Sequence, residues 1–261
     1  MFHKLIFIPT MFILAALLLG ACEKVVQIDL NSSVPKTVIE VSLQEGEHLF
    51  TVRVYQTKSY FSNKETVRFD DAEVSLYSES GETISLNSAG NGLYTAIVDA
   101  QAGKTYTLQV LHDGKSFIAS SFLPEPVILN QVSSKELSLP GEENSREVYV
   151  EFDDKPGLAN YYRIIVSSND SLEHDLQYFD DKYTDGNRVK WALLNLYEPG
   201  DQLSVELRSI DAAAYEYYFT LAPVLEGNSN TAPGNPISNW EGGALGYFIA
   251  YSSSVANAVV E

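Results

Sequence analysis

Apolar residues in this chain recur at every second position, in short runs separated by turn residues, and that period commits most of it to β-strands. Phe50, Val52 and Val54 fall on one face against Thr51, Arg53 and Tyr55, and Val74 with Leu76 oppose Glu73, Ser75 and Tyr77. Successive side chains of a strand point to opposite faces, so each run buries one face and wets the other. Tyr106, Leu108 and Val110 repeat the pattern against Thr105, Thr107 and Gln109. Asp113-Gly114 then supplies the positive φ angles of a tight hairpin into Lys115 to Phe122. Other turn residues stand at Gly81, at Gly90-Asn91-Gly92 and at Gly103. Short strands at this spacing predict an antiparallel sandwich of about seven strands over residues 36–123, Ig-like or transthyretin-like in character.

Pro124 and Pro126 interrupt the alternation. Two prolines one residue apart remove two ladder donors and stiffen the chain, which places a domain boundary there. A second set of alternating segments follows: Val148, Val150 and Phe152; Tyr162, Ile164 and Val166; Leu203, Val205 and Leu207. One helix is predicted over 211–222, with Asp211 as N-cap and Tyr215, Tyr218, Phe219 and Ala222 at the spacing of one face; Pro223 should end it. Gly227 to Gly243 is long and aperiodic, and Leu245 to Ser252 returns to the sheet. The predicted fold is all-β: two consecutive antiparallel β-sandwich-like domains, 36–123 and 127–261, the second with one short helix.

The amino terminus has a different character. After Lys4, the chain is apolar from Leu5 to Leu19 and closes on Leu19-Gly20-Ala21-Cys22. The run is too short to span a bilayer as a helix but suits a secretory leader, and small residues before a cysteine form a bacterial lipoprotein cleavage box. Residues 1–21 therefore read as a signal peptide, Cys22 as the lipidated residue, and 22–35 as a tether. Each buried acyl methylene contributes roughly 0.8 kcal/mol, so several chains on one cysteine hold a protein firmly in a leaflet. Cys22 is the only cysteine. Once it carries lipid, neither a disulfide nor a cysteine metal site can form, and the cores must hold by packing.

The charge balance excludes a nucleic-acid partner. With 17 basic against 35 acidic residues and a net charge of -18, no basic stripe is available to neutralise phosphates. Among motifs that carry chemistry, Asp180-Asp181-Lys182-Tyr183-Thr184-Asp185-Gly186-Asn187 comes nearest a calcium loop, but Tyr183 and Ala192 occupy ligand positions. It reads as a polar turn, with an irregular calcium site near Asp180, Asp181 and Asp185 left open. His48, His112 and His174 lack the close spacing of a zinc pair, and there is no G-x-S-x-G elbow. Gly242-Gly243-Ala244-Leu245-Gly246 does not join a strand to a helix, so it fails as a dinucleotide loop. No catalytic residue, metal or cofactor is assigned, and the chain reads as a non-enzyme. The alternatives are a structural or adhesive surface lipoprotein and a surface hydrolase using two carboxylates. Trp240 lies in the aperiodic loop, where an exposed indole would make a contact. With Asn239, Glu241 and Tyr247 it forms the candidate ligand or partner surface, within Asn228 to Tyr247.

The chain resembles the domain of unknown function 4249 family of Gram-negative outer-membrane lipoproteins. The resemblance begins at Cys22-Glu23-Lys24-Val25-Val26, continues through Ile28-Asp29-Leu30, Val38-Ile39-Glu40, Ala72-Glu73-Val74, Gly92-Leu93-Tyr94 and Gly103-Lys104-Thr105-Tyr106, and reaches Gly114-Lys115. In the second half it runs through Gly200-Asp201 and the Tyr215 to Tyr218 helix to Asn235-Pro236, Ser238-Asn239-Trp240-Glu241-Gly242-Gly243 and Leu245-Gly246-Tyr247-Phe248. It implies an accessory to a TonB-dependent outer-membrane receptor that captures or gates a nutrient. The implied location is the outer membrane, lipid-anchored, with the Glu23-Lys24 pair favouring the cell surface over the periplasmic face.

Overall fold

Seven strands follow one another through the first third of the body: β1 (Thr37–Gln44), β2 (Gly46–Gln56), β3 (Glu73–Ser78), β4 (Thr83–Gly90), β5 (Leu93–Ala100), β6 (Lys104–His112) and β7 (Lys115–Leu123). This is a computed structural model, and it describes residues 34–58, 65–137, 144–227 and 234–261. The leader, Cys22 and the tether up to residue 33 lie outside the described residues. In space the strands run β1-β2-β5-β4-β3-β6-β7, each antiparallel to its neighbour. β4 serves both layers of the sandwich, since Thr83–Leu86 pair with β3 whereas Asn87–Gly90 pair with β5 across a register shift. Phe50, Val52, Val54, Leu108 and Val110 are all fully buried, as their alternation requires. The β6–β7 hairpin turns on Asp113 at φ 48° and Gly114 at φ 69°.

The remaining elements are β8 (Leu129–Glu136), β9 (Arg146–Asp153), β10 (Tyr161–Ser168), β11 (Ser171–Leu172), β12 (Gln177–Asp180), β13 (Arg188–Tyr197), β14 (Gln202–Ile210), α1 (Ala212–Leu225) and β15 (Leu245–Val259). A three-stranded sheet, β13-β9-β8, is separate from the long sheet that holds β10, β14 and β15. Val148, Val150 and Phe152 of the first meet Ile164, Val166, Leu203, Val205 and Leu207 of the second in one core. Phe179 stacks on Trp191 at 4.1 Å within it. Leu123 belongs to the first core and Val127 to the second, so core membership changes across the Pro124 to Pro126 segment.

Residues 35–261 nevertheless form a single compact unit, because the last strand works in both cores. Leu245 to Tyr251 pair with β1 in parallel, and Ser252 to Val259 pair with β14 antiparallel. Trp240, Ala244, Phe248 and Ala250 pack into the first core, whereas Val260 packs into the second. A parallel pair cannot be closed by a hairpin, and here β2 to β14 and α1 all lie in the connection between β1 and β15. No described helix is long and apolar enough to cross a membrane.

Helix α1 begins where predicted, with Asp211 accepting from the Ala214 amide at 2.8 Å. It ends later. Pro223 sits inside the last turn, and the Glu226 amide still donates to the Ala222 carbonyl. A proline forfeits one amide donor, a loss that the end of a helix tolerates better than its middle. The buried stripe also shifts: Ala214 and Tyr218 are buried with Tyr217 and Leu221 packed beside them, whereas Phe219 is 58% exposed.

Candidate functional site

The residues chosen from the sequence divide into those that hold the fold and those that face outward. Trp240 is only 6% exposed. Its Nε1 donates to the Ile39 carbonyl at 3.1 Å, and the ring fills the first core, so the expectation of an exposed indole is corrected. Its loop lies against β7 rather than standing free, with Glu241 and Ile118 exchanging backbone bonds. Asn239 imitates a strand residue: its Nδ2 donates to the Phe248 carbonyl at 2.7 Å and its Oδ1 accepts the Phe248 amide at 3.0 Å. Glu241 keeps an exposed side chain, and Tyr247 is half-buried with its ring 5.0 Å from that of Tyr217. Residues 228–233 of the candidate surface lie outside the described residues. What the segment does present is Ile237, 50% exposed, whose amide donates to Thr220 Oγ1 on α1 at 2.9 Å. The helix adds Phe219 and Leu225, the latter 62% exposed.

Beneath α1 the long sheet carries an aromatic face. Tyr247, Ile249 and Tyr251 of β15 point toward the helix side, alternating with Phe248 and Ala250, which point into the first core. Arg163 and Arg208 stand directly opposite each other on β10 and β14. Like charges in that register repel, and here each has its own aromatic partner. The Arg163 guanidinium lies 4.3 Å from the Tyr218 ring centre and that of Arg208 4.0 Å from the Tyr251 ring; Arg208 also pairs with Glu206 at 2.8 Å. Burial raises the tyrosines Tyr217, Tyr247 and Tyr251 above the usual phenol range. Tyr55 is pushed up to about 12, by burial first and then by Glu40. These phenols are therefore neutral hydrogen-bonding groups at physiological pH.

The acidic turn is reorganised. Asp180 ends β12 on the side facing α1, where burial first and then the Asp180 charge raise Tyr215, and it does not join Asp181 and Asp185. Asp154, just beyond β9, takes its place: one oxygen from each of Asp154, Asp181 and Asp185 lies within 4.8 Å of the others. Among the described residues this is the one such group of potential metal-binding side chains. Its oxygens are those a hard cation accepts, but they already bind protein donors. Tyr162 donates its hydroxyl to Asp154, Gly186 its amide to Asp154 at 2.8 Å, Asn160 its amide to Asp181 at 2.9 Å and Gly157 its amide to Asp185 at 2.7 Å. The group ties the chain after β9 to the turn after β12. No spacing signal could have added Asp154, because the contact is made by the pairing of β9 with β13, which sets the Asp154 amide on the Asn187 carbonyl at 3.0 Å. The three histidines stay apart; His112 packs on Phe69 at 4.0 Å between ring centres.

A family model described as Domain of unknown function (DUF4249) matches residues 23–256. No curated protein matches the chain. Among solved structures, a cytokine receptor complex is 14% identical, with 85% of this chain and 95% of that chain covered and a TM-score of 0.28. A segment of two fibronectin type-III domains from chicken tenascin is 17% identical, with 67% and 90% covered and a TM-score of 0.22.

Proposed function

The chain belongs to the family described as domain of unknown function DUF4249, and from that premise we propose that it is a lipid-anchored accessory of an outer membrane, joined at Cys22 and serving a TonB-dependent nutrient transporter as a binding or gating partner. One observation carries the proposal: the apolar run closing on Leu19-Gly20-Ala21-Cys22, with the family match starting at residue 23, next after that cysteine. The body supports it physically, since its two cores hold by packing and need no thiol. The partner surface is the outer flank of α1 with the segment leading to Tyr247, where Phe219 and Leu225 of the helix and Ile237 beside it stay in water. No covalent chemistry is assigned to it.

The test is labelling and co-purification from the native cell envelope. Palmitate should enter the wild-type chain and not a Cys22→Ala variant, and a TonB-dependent receptor should accompany the detergent-extracted protein. Changing Phe219 and Ile237 together to Ser should release the receptor while leaving the label. A chain that takes up no palmitate, or one that is labelled and never accompanied by a receptor, overturns the corresponding half.

A further inference from the structure

We propose that Arg53 and Arg68 form a binding site for a small oxyanion, a carboxylate or phosphate group carried on a solute whose body rests against Tyr55. The chain has six arginines, and four of them have their guanidinium groups engaged. Arg146 donates to the Glu261 carbonyl, Arg163 to the Tyr218 hydroxyl, Arg188 to Asp153 and Arg208 to Glu206. Arg53 and Arg68 are both exposed, and neither makes an ion pair, a side-chain hydrogen bond or a ring contact among the described residues. In a chain with 35 acidic residues that is unusual, and the two unpaired cations line the same pocket, of about 590 Å³, with Tyr55, Thr66, Asn91 and Leu93.

The register explains how they meet. Tyr55 pairs with Arg68 across an isolated bridge, and Arg53, two positions earlier on β2, shares the outward face with Tyr55. The arginines are thus diagonal neighbours, a relation in which long side chains reach each other and like charges repel. Their backbones cannot relax apart. The Val54 amide donates to Gly92 at 2.8 Å, the Gln56 amide to Val67 at 2.9 Å and the Phe69 amide to Val54 at 3.2 Å. The chains come so close that a Cβ on Gly92 would lie 2.4 Å from the Val54 carbonyl and 3.1 Å from Arg68 Cβ.

Two neighbouring carboxylates leave the arginines unpaired. Glu40 stands opposite Arg53 on β1 but makes no ion pair with it, and its charge acts on Tyr55. Asp70, two residues from Arg68, accepts the Gly92 amide at 2.5 Å. An oxyanion between the guanidiniums would relieve their repulsion and take charge-assisted, fork-like hydrogen bonds from both. Thr66 and Asn91 supply polar groups for hydroxyls, and the Tyr55 ring an apolar wall. A second open pocket, of about 340 Å³, shares Arg53 and Leu93 and runs past Glu40 to Tyr247, so the site has room for hydroxyl groups beyond the anion, with Glu40 as an acceptor for them. A hydroxylated acid of sugar size fits this set of groups. The site is separate from the α1 flank, and its test needs neither anchor nor receptor.

The full chain, purified in detergent, is titrated with D-glucuronate, glucose 6-phosphate and neutral glucose, and binding is followed by calorimetry and by the arginine side-chain NMR signals. Saturable binding of glucuronate or of glucose 6-phosphate, moving the Arg53 and Arg68 signals and absent with glucose, is expected; whichever binds tells carboxylate from phosphate. R53Q and R68Q should each weaken binding at least about tenfold, with the fold checked by circular dichroism. R53K should also weaken it, because an ammonium cannot form the fork. No binding of either acid up to about 10 mM, or binding unchanged in the double Gln variant, overturns the site.

Discussion

The indole nitrogen of Trp240 donates to the carbonyl of Ile39 at 3.1 Å, a bond spanning 201 positions of chain that fixes the late loop onto the first strand. The ring is nearly fully buried in the first core, so removing it opens a cavity and leaves a backbone acceptor without its partner. Trp240→Ala should cost about 3–5 kcal/mol of stability, read from urea unfolding, whereas Trp240→Phe should cost less by keeping most of the packing. In a Trp191→Phe background, where Trp240 is the sole tryptophan, its emission should resist acrylamide quenching. Free quenching with unchanged stability of the Ala variant would return Trp240 to the surface.

Ile39 is also where Gly246 must remain a glycine. The two residues are partners in the parallel β1–β15 ladder, and Gly246 adopts φ +93° with its missing Cβ aimed at Ile39. A methyl there would lie 2.2 Å from the Ile39 oxygen and 2.8 Å from its carbonyl carbon, both backbone atoms with nowhere to move. Gly246→Ala should therefore destabilise by about 2–4 kcal/mol and speed amide exchange at both strands. A variant that unfolds at the wild-type urea midpoint would mean that the pairing adjusts freely.

Local period was legible and long-range partnership was not. Phe50-Val52-Val54 and Leu203-Val205-Leu207 announce their buried faces because a strand's alternation is written in adjacent residues. The Asp113-Gly114 turn is equally local. Nothing near Leu245 states that its strand will lie parallel to residues two hundred positions earlier and then continue in a second core, since apolar alternation is the same whichever sheet receives it. The same reason hid Trp240's burial, Asp154's place beside Asp181, and the meeting of Arg53 with Arg68. Helix α1 was legible at its start, where Asp211 caps an amide three residues on, and less so at its end, where packing carries the last turn past Pro223.

Asp211 does more than cap. Its Oδ1 accepts the Ala214 amide, and its Oδ2 accepts the Ser121 hydroxyl at 2.7 Å and the Phe122 amide at 2.9 Å, so one carboxylate joins the helix to β7 of the first core. Ser121 in turn accepts the Ala250 amide at 2.9 Å. Asp211→Ala should cost about 2–4 kcal/mol, combining a lost cap with stranded donors; Asp211→Asn keeps the cap and should cost less. Burial raises the Asp211 carboxyl above its ordinary 3.8, against the lowering effect of its hydrogen bonds, so the folded state holds this proton to higher pH than the unfolded chain. That contribution is full below the unfolded value and is lost as pH rises through the folded one. The Asn variant should lack this part of the acid-side pH dependence, measured as the difference between urea midpoints across mildly acidic pH. Identical pH profiles for the two proteins would remove the carboxyl from the account.

The alkaline limb should be set by the phenols. Tyr55 is raised to about 12, by burial first and then by the neighbouring Glu40, and burial also raises Tyr162, Tyr197, Tyr217, Tyr247 and Tyr251. In the unfolded chain all of them ionise near 10, so below that pH folded and unfolded states hold the same protons and stability does not change on their account. Above it the unfolded state releases protons that the folded state retains, and stability falls as pH climbs through the raised values. Urea midpoints should therefore be level up to about pH 9 and drop steeply between about pH 10 and 12. The buried phenols' share of the phenolate absorbance should rise together with loss of the β-sheet circular dichroism signal, after that of exposed tyrosines such as Tyr183. Tyr55→Phe should make the drop shallower, because one retained proton disappears from the balance. Complete phenolate formation by all 16 tyrosines near pH 10, in a protein that still shows full sheet signal, would mean that the buried phenols are open to water.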